Sequence, residues 1–236
     1  MANKTLKNSY VISLAGTKGG ILKSTLTQCI STSKAFEKYK VAILEGDSQG
    51  SLISWIEDRD PKLPPLNIEI YNHEEERELK DEISKYKKDV DFLFVDLPGE
   101  SKALTLSRTA LAYSDLCIFP LRLSDKDIKA FDKNVRQPLK QILEIRDKKH
   151  FKILPTFAYH SANINSFREN YETIKIIDTF ENVHRDRAVY NYFSIGGKTL
   201  REYKKSHKLN LIEASKSSKA IADIELIAEE ILQNLL

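Results

Sequence analysis

Residues 16–25, Gly-Thr-Lys-Gly-Gly-Ile-Leu-Lys-Ser-Thr, constrain the fold more than any other part of this chain. They follow a short apolar run at 10–15 that is typical of a buried strand, and they precede a segment whose apolar residues have helical spacing. Glycines let the backbone turn sharply and bring its N–H groups close to a phosphate, and the positive end of the helix dipole adds to that attraction. This order of elements predicts a phosphate-binding loop.

The side chains of this loop predict how a nucleotide is held. Lys23 is expected to neutralise the β- and γ-phosphates, and Ser24 is expected to offer its hydroxyl to Mg²⁺. The predicted nucleotide-binding residues are Lys18, Gly19, Gly20, Ile21, Leu22, Lys23, Ser24 and Thr25. The common motif has glycine where this chain has Leu22, so that side chain must point away from the phosphates. The sequence therefore predicts a P-loop ATPase with ATP and Mg²⁺ as cofactors.

Apolar runs alternate with helical segments along the chain. Strands are predicted at 10–15, 41–44, 66–71, 92–95, 116–119 and 151–157, and helices at 24–39, 51–57, 73–88, 104–113, 125–145, 164–180 and 218–236. We expect the helix at 73–88 to be a solvated surface helix and the helix at 125–145 to be interrupted near Pro138. Because the strands lack polar alternation, we predict an α/β fold with a single doubly wound, mostly parallel sheet, built by one P-loop domain over residues 1–236.

Acidic residues follow two of the predicted strands. Asp47 comes shortly after the second strand, and Asp96 comes directly after the fourth. Because the carboxyl ends of parallel strands converge on one crevice, we predict that Ser24, Asp96 and Asp47 surround the metal. Asp96 would hold the water shell of Mg²⁺ opposite Ser24. Asp47 also fits a turn or a helix cap, which are positions that aspartate favours.

The loop with its two lysines resembles the deviant Walker A motif of the ParA/MinD family of partition and positioning ATPases. Residues 91–99 have the Walker B form, an apolar strand that ends in aspartate. The resemblance implies that Lys18 reaches across an ATP-bound homodimer to the nucleotide of the partner. It assigns Lys18, Lys23 and Asp47 to catalysis. It covers nearly the whole chain and is specific at 18–25, 47–51 and 91–98.

Residues 45–51 are similar to the switch I sequence of that family, Asp-x-Asp-Pro-Gln-Gly-Ser/Asn. Asp47 matches the second aspartate, which in the family orients or activates the attacking water. Glu45 stands in place of the first aspartate, and Ser48 stands in place of the proline. The longer side chain of Glu45 is expected to alter contacts around the Mg²⁺.

Positive charge is concentrated in one segment. The chain has a net charge of +3, and residues 185–219 carry nine Lys or Arg against three acids, a net +6 that leaves −3 elsewhere. A basic segment on a near-neutral body favours a polyanion as partner. The predicted DNA-binding residues are Arg185, Lys198, Arg201, Lys204, Lys205 and Lys208. For each of them the alternative is an ordinary solvated face.

Composition favours a cytoplasmic protein, and the resemblance places it on the nucleoid. Charged residues make up 30% of the chain, and no apolar run approaches the ~20 residues that a membrane-spanning helix needs. The apolar stretch at 11–15 is too short for the core of a signal peptide. Cys29 and Cys117 are far apart and lack the spacing of a metal site, so we expect buried thiols.

The resemblance implies a DNA partition ATPase with slow intrinsic turnover. Its ATP-bound dimer would bind DNA without sequence preference and be released after a ParB-like, centromere-binding partner stimulates hydrolysis. Two alternatives remain open: a MinD-like or protein-cargo positioning ATPase, and a P-loop metabolic ligase. The last turns carry Glu225, Glu229 and Glu230 and no Lys or Arg, which disfavours a membrane as partner.

Overall fold

The computed structural model describes residues 6, 8–16, 22–74, 77–99, 103–157, 172–206 and 210–236. Within them lies one seven-stranded sheet. Its strands are β1 (Tyr10–Leu14), β2 (Val41–Glu45), β3 (Ile68–Asn72), β4 (Phe92–Asp96), β5 (Leu116–Arg122), β6 (Phe151–Thr156) and β7 (Asp178–Thr179). The spatial order is β3-β2-β4-β1-β5-β6-β7, and every described pair is parallel. The predicted parallel sheet is therefore confirmed.

Helices cover both faces of this sheet. They are α1 (Lys23–Ser31), α2 (Ser51–Glu57), α3 (Leu79–Tyr86), α4 (Ala103–Tyr113), α5 (Asp125–Leu143), α6 (Glu172–Ile176), α7 (Leu200–Ser206) and α8 (Leu211–Leu235). Residues of α1, α2, α7 and α8 belong to one buried cluster, the first core. Residues of α3, α4 and α5 belong to another, the second core. The doubly wound arrangement is thus confirmed.

The interior strand β4 shows why the strands lack polar alternation. Phe92 and Phe94 point into the first core, whereas Leu93 and Val95 point into the second, and all four are fully buried. Successive side chains of a strand point to opposite faces, so a strand that is covered on both sides must be apolar at every position.

Several helices differ from the sequence-based prediction. The helix predicted at 24–39 ends at Ser31, the one predicted at 218–236 begins at Leu211, and α7 was not predicted. The helix α5 runs through Pro138 without interruption, and Ser124 caps its start. The lost N–H costs one hydrogen bond, whereas the inner face of the helix packs four apolar side chains in the second core: Ile128, Phe131, Val135 and Leu139. The helix predicted at 73–88 is wrong in extent, since α3 begins at Leu79. Its inner face is also buried rather than solvated, because Leu79 and Ile83 lie in the second core.

The segment predicted as a helix at 164–180 is described only from residue 172 onwards. There the helix α6 ends at Ile176, and the chain then pairs with β6 as the edge strand β7, which sequence reasoning missed. The N–H of Phe180 donates to the carbonyl of Ile153 at 2.9 Å, which continues this pairing. The remainder of the predicted helix lies outside the described residues.

The C-terminal helix α8 packs on the sheet by the apolar stripe that its sequence predicts. Ile224, Ile227 and Ile231 are buried in the first core. Two of its acids bind distant backbone. Glu225 accepts hydrogen bonds from the N–H groups of residues 34 and 35, and Glu230 accepts them from residues 181 and 182. No helix in the described part of the chain is both long and apolar enough to cross a membrane.

His184 is a buried polar residue in this fold. Its ring is fully buried and lies 4.5 Å from the ring of Tyr190 and 6.3 Å from that of Phe157. Within the described part of the chain, neither ring nitrogen has a hydrogen-bond partner. Burial, and then the charge of Arg187, lower the pKa of His184 to about 4. The ring is therefore held in its neutral form.

We predict that His184 makes the fold sensitive to mild acid. The unfolded chain binds this proton near the ordinary pKa of 6.5, whereas the folded chain binds it only near 4, so stability falls as the pH drops through this window. Between about pH 7.5 and about pH 5 the wild type should lose about 2 kcal/mol of unfolding free energy that His184→Phe retains. Urea unfolding at both values checks this.

A second variant, His184→Leu, provides the check on ring size, since it too removes the titratable group and should lose the same pH dependence. An identical pH dependence in the wild type and in His184→Phe would contradict the prediction.

Candidate nucleotide site

The site lies where three neighbouring parallel strands end. Asp96, the last residue of β4, is in register with Leu14 of β1 and with Glu45 of β2. The N–H of Gly46 donates to the carbonyl of Asp96 at 2.8 Å. A Cβ atom on Gly46 would lie 3.0 Å from that same oxygen, so glycine allows the two strand ends to come this close. Asp47 follows directly.

The phosphate loop enters α1 through an unusual backbone conformation at Leu22. This residue has φ 57° and ψ 23°, in the left-handed region that glycine adopts most readily. The preference explains why the common motif has glycine here. The side chain of Leu22 packs against the first core, which agrees with the expectation that it points away from a bound phosphate.

Two hydroxyl groups of α1 face the carboxylate of Asp96. The Oγ of Ser24 donates to Oδ2 at 2.5 Å, and the Oγ1 of Thr27 donates to Oδ1 at 3.3 Å. Burial raises the pKa of Asp96 to about 7, and the charge of Glu45 adds to this, while the bonds from both hydroxyls and the charge of Lys23 oppose it. Thr27 was missed by sequence reasoning, although its spacing of three from Ser24 places both on one face of the helix.

The donors of this site fit a magnesium ion. The Ser24 hydroxyl and the Asp96 carboxylate are hard oxygen ligands that lie within hydrogen-bond distance of each other, and Mg²⁺ commonly combines one or two such groups with waters and substrate phosphates. A cation beside Asp96 would favour its charged form and so offset the burial that raises its pKa. Among the described residues, no cluster of three or more His, Cys, Asp or Glu forms a separate metal site.

Lys23 is buried beside these groups. Its side chain lies along Gly16, since a Cβ atom there would be 3.2 Å from the Cδ atom of Lys23. Burial lowers the pKa of Lys23, whereas the charges of Asp96 and Asp47 raise it. The structure thus brings Lys23, Ser24, Asp96 and Asp47 together at one edge of the sheet.

Asp47 lies in a turn and is also close to the lysine of the phosphate loop. Its Oδ1 accepts a hydrogen bond from the N–H of Gln49 at 3.1 Å, and its carbonyl accepts one from Gly50 at 3.0 Å, as in a turn. Its carboxylate is also close enough to Lys23 to raise the pKa of that amine.

The predicted phosphate loop lies only partly within the described residues. Thr25 lies in the first turn of α1, whereas Lys18, Gly19, Gly20 and Ile21 lie outside the described residues.

The predicted DNA-binding residues divide into paired and exposed side chains. Arg185 binds the carboxylate of Asp223 at 3.1 Å, and Arg201 binds that of Glu37 at 3.1 Å. The Nζ of Lys198 donates to the carbonyl of Ile195. In contrast, Lys204 and Lys205 are exposed on α7, and Lys208 lies outside the described residues.

The helices α1 and α2 both bind the backbone of the turn at 196–199, just before α7. Gln28 of α1 and Trp55 of α2 both donate to the carbonyl of Lys198, at 3.4 and 3.1 Å. The guanidinium of Arg59 donates to the carbonyl of Gly197 at 2.6 Å and forms two bonds with the carboxylate of Glu202 on α7. The site is therefore linked through α1 and α2 to the start of the helix that carries the exposed lysines.

The family model described as ATPase MipZ matches residues 10–134, more than half of the chain, and this range contains all four residues of the site. The chain belongs to this ATPase family. The predicted resemblance to ParA/MinD-type ATPases is confirmed. No curated protein sequence matches this MipZ-family chain.

The solved structures that are similar to this MipZ-family chain include three nucleotide complexes. One, described as a plasmid partition protein from Borrelia burgdorferi B31, is bound to AMPPNP and has 18% identity, a TM-score of 0.62, and coverage of 95% of this chain and 99% of its own. An ATP complex of a McdA variant from Cyanothece has 12% identity, a TM-score of 0.67, and coverage of 95% and 96%. The septum site-determining protein MinD from Pyrococcus horikoshii OT3, with Mg-ADP, has 19% identity, a TM-score of 0.63, and coverage of 94% and 96%. At these identities the likeness shows the fold.

We predict that Gly197→Ala is severely destabilising, by more than about 4 kcal/mol of unfolding free energy. The added Cβ atom would lie 2.2 Å from the Cα atom of Arg59, and φ at this glycine is +67°. The neighbouring Gly196 has φ +69° but would meet only the flexible tip of Lys198, at 3.4 Å. Gly196→Ala should therefore cost only the backbone penalty of about 1–2 kcal/mol.

Chemical denaturation of both variants against the wild type measures the difference. Equal losses would show that the close approach of residues 59 and 197 contributes nothing.

Proposed function

We propose that this chain is an ATP-dependent DNA partition ATPase, formed by a single P-loop domain across residues 1–236. The observation that supports this most strongly is the group of Lys23, Ser24, Asp96 and Asp47 at one edge of the sheet, in a chain that belongs to an ATPase family. Its ATP-bound homodimer would bind DNA without sequence preference. The protein would act in the cytoplasm on the nucleoid and turn over slowly until a ParB-like partner stimulates hydrolysis.

Each residue of the site has a separate task in this proposal. Lys23, held in a buried position, offsets the negative charge of the β- and γ-phosphates. Ser24 and Asp96 would hold Mg²⁺, which would neutralise charge at the phosphate oxygens. Asp47 lies on a short turn close to Lys23. In this proposal it orients the attacking water or accepts its proton.

In the proposed dimer, the negative charge of the two bound nucleotides must be offset at the interface. Two nucleotides that face each other across an interface concentrate negative charge there, and a lysine from each subunit offsets it. We assign that lysine to Lys18, because the loop resembles the deviant Walker A motif of the ParA/MinD family, in which the corresponding lysine reaches the nucleotide of the partner.

The proposed DNA-binding face is centred on α7. Lys204 and Lys205 are exposed there, and Lys208 follows shortly after in sequence. Arg185 and Arg201 already bind carboxylates of their own chain, so we expect smaller contributions from them. The description of the Borrelia structure as a plasmid partition protein supports DNA as the polyanion.

A second candidate function is that of a membrane-positioning ATPase. Leu211 and Ile212 at the start of α8 are 90% and 66% exposed, and they stand close in sequence to the lysines of α7. Exposed aliphatic side chains beside lysines favour the surface of an anionic bilayer. The similarity to a MinD structure is consistent with this alternative.

We predict that Lys23→Ala and Asp47→Ala affect different steps. Removal of the buried cation should weaken ATP binding by about 100-fold, since a charged hydrogen bond contributes up to about 3 kcal/mol. Asp47→Ala should keep ATP affinity within about threefold and lower turnover by about 100-fold or more, because Asp47 acts on the water rather than on the phosphates. Calorimetric ATP binding and phosphate release measure the two steps separately. Normal hydrolysis by Asp47→Ala would refute the catalytic assignment.

We also predict that Lys204→Glu/Lys205→Glu weakens DNA binding, lowers its salt dependence and leaves ATP binding intact. Each phosphate contact contributes ~0.9 to the log–log salt slope, so the loss of four lysines from a dimer should reduce the slope by about 3 to 4. Fluorescence anisotropy with duplex DNA at several salt concentrations, with a slowly hydrolysed ATP analogue, gives the slope.

The matched control is Lys87→Glu/Lys88→Glu, an exposed lysine pair beside α3. An unchanged slope in the α7 variant would show that its lysines form an ordinary solvated face. Binding to anionic vesicles in place of DNA, with loss of that binding in Leu211→Ser/Ile212→Ser, would favour the membrane-positioning function.

A further inference from the structure

Glu45 binds the start of α2 although it belongs to strand β2. Its Oε1 accepts a hydrogen bond from the N–H of Leu52 at 2.8 Å and from the hydroxyl of Ser51 at 3.3 Å. Its Oε2 accepts one from the N–H of Ile53 at 2.8 Å. The side chain is fully buried. The carboxylate therefore caps the helix with both oxygens.

The helix α2 depends on this remote cap. The residue before its first turn, Gly50, has φ 62° and offers no side chain, while the first N–H groups of any helix lack partners within it. A negative charge at this end also complements the helix dipole. Glu45 supplies both the hydrogen-bond acceptors and the negative charge, and it does so from the other end of the loop at 46–50.

Both ends of the loop at 46–50 are consequently fixed by one residue. The backbone of Glu45 is held in the sheet beside Asp96, and its side chain holds the first turn of α2. Asp47 lies between these two anchors, and its position relative to Lys23 depends on both. A displacement of about 1 Å in a catalytic group can cost on the order of 100-fold in rate.

We propose that Glu45 is a positioning residue for ATP hydrolysis, which sets the place of Asp47 through its two-oxygen bond to the start of α2. This inference rests on the proposed catalytic role of Asp47. The ParA/MinD switch I pattern has aspartate at this position. An aspartate is one methylene shorter, about 1.5 Å, so its oxygens would lie farther from the two N–H groups if the backbone kept its place.

Replacing Glu45 by the aspartate of the family pattern should therefore slow this enzyme rather than leave it unchanged. Glu45→Asp restores the common residue and keeps the charge, yet it should lower kcat by about 10-fold to 100-fold with ATP affinity within about threefold. Glu45→Gln keeps the length and one accepting oxygen but turns an N–H donor toward a helix N–H. Its kcat should fall between the wild type and Glu45→Asp.

The control is Glu57→Asp, the same change at an exposed residue at the end of the same helix. Its kcat should equal that of the wild type. ATP affinity, kcat and Tm are measured for all variants, and kcat is expressed per folded molecule. If Glu45→Asp does not fold, Glu45→Gln carries the test, since it fills the same space.

The double variant Glu45→Asp/Asp47→Ala separates positioning from general stability. If Glu45 acts through Asp47, the double variant should be no slower than Asp47→Ala alone. Additive losses, or a wild-type kcat in Glu45→Asp while Asp47→Ala is inactive, would overturn this inference and leave the proposed function standing. Normal turnover in Asp47→Ala would instead refute the proposed function, and the inference with it.

Discussion

The burial of the Asp96 carboxylate at the end of the interior strand β4 is the constraint around which the site is arranged. A carboxylate without solvent needs hydroxyl donors or a cation close to it, and α1 supplies Ser24, Thr27 and Lys23. These three come from a single helix that begins directly after the phosphate loop. The sheet holds the Asp96 carboxylate in place, and the orientation of α1 is then restricted to one that brings its three side chains to that carboxylate.

Carboxylates that bind backbone N–H groups of distant segments recur throughout this fold. Asp91 holds the N–H groups of Leu6 and Lys40, at 2.6 and 2.8 Å. Glu225 and Glu230 of α8 do the same for two loops on the first core. Such bonds are stronger than neutral ones and connect elements that are far apart in sequence. In this chain, several acids that look like surface charges therefore serve as structural links.

The sequence was sufficient to predict the parallel sheet and the meeting of Ser24 with Asp96 at the carboxyl end of its strands. These features follow from local patterns and from the common direction of parallel strands. It was not sufficient where a side chain has a distant partner. The pairing of Arg201 with Glu37, 164 residues away, depends on where α7 lies relative to the turn that follows α1, and the cap from Glu45 depends on where α2 begins. The uninterrupted helix at Pro138 depends likewise on a core that the local sequence does not reveal.

Because the backbones of Gly197 and Arg59 lie so close together, the substitutions tolerated at position 197 depend on where the backbone of residue 59 lies. The backbone of residue 59 occupies the space that any side chain at 197 would need, so no rotamer change at Arg59 can make room for one. Position 197 is therefore closed to substitution as long as α2 keeps its present end. A descendant of this chain could acquire a side chain there only after the end of α2 had moved, which would first disturb the bonds of Arg59 to Glu202.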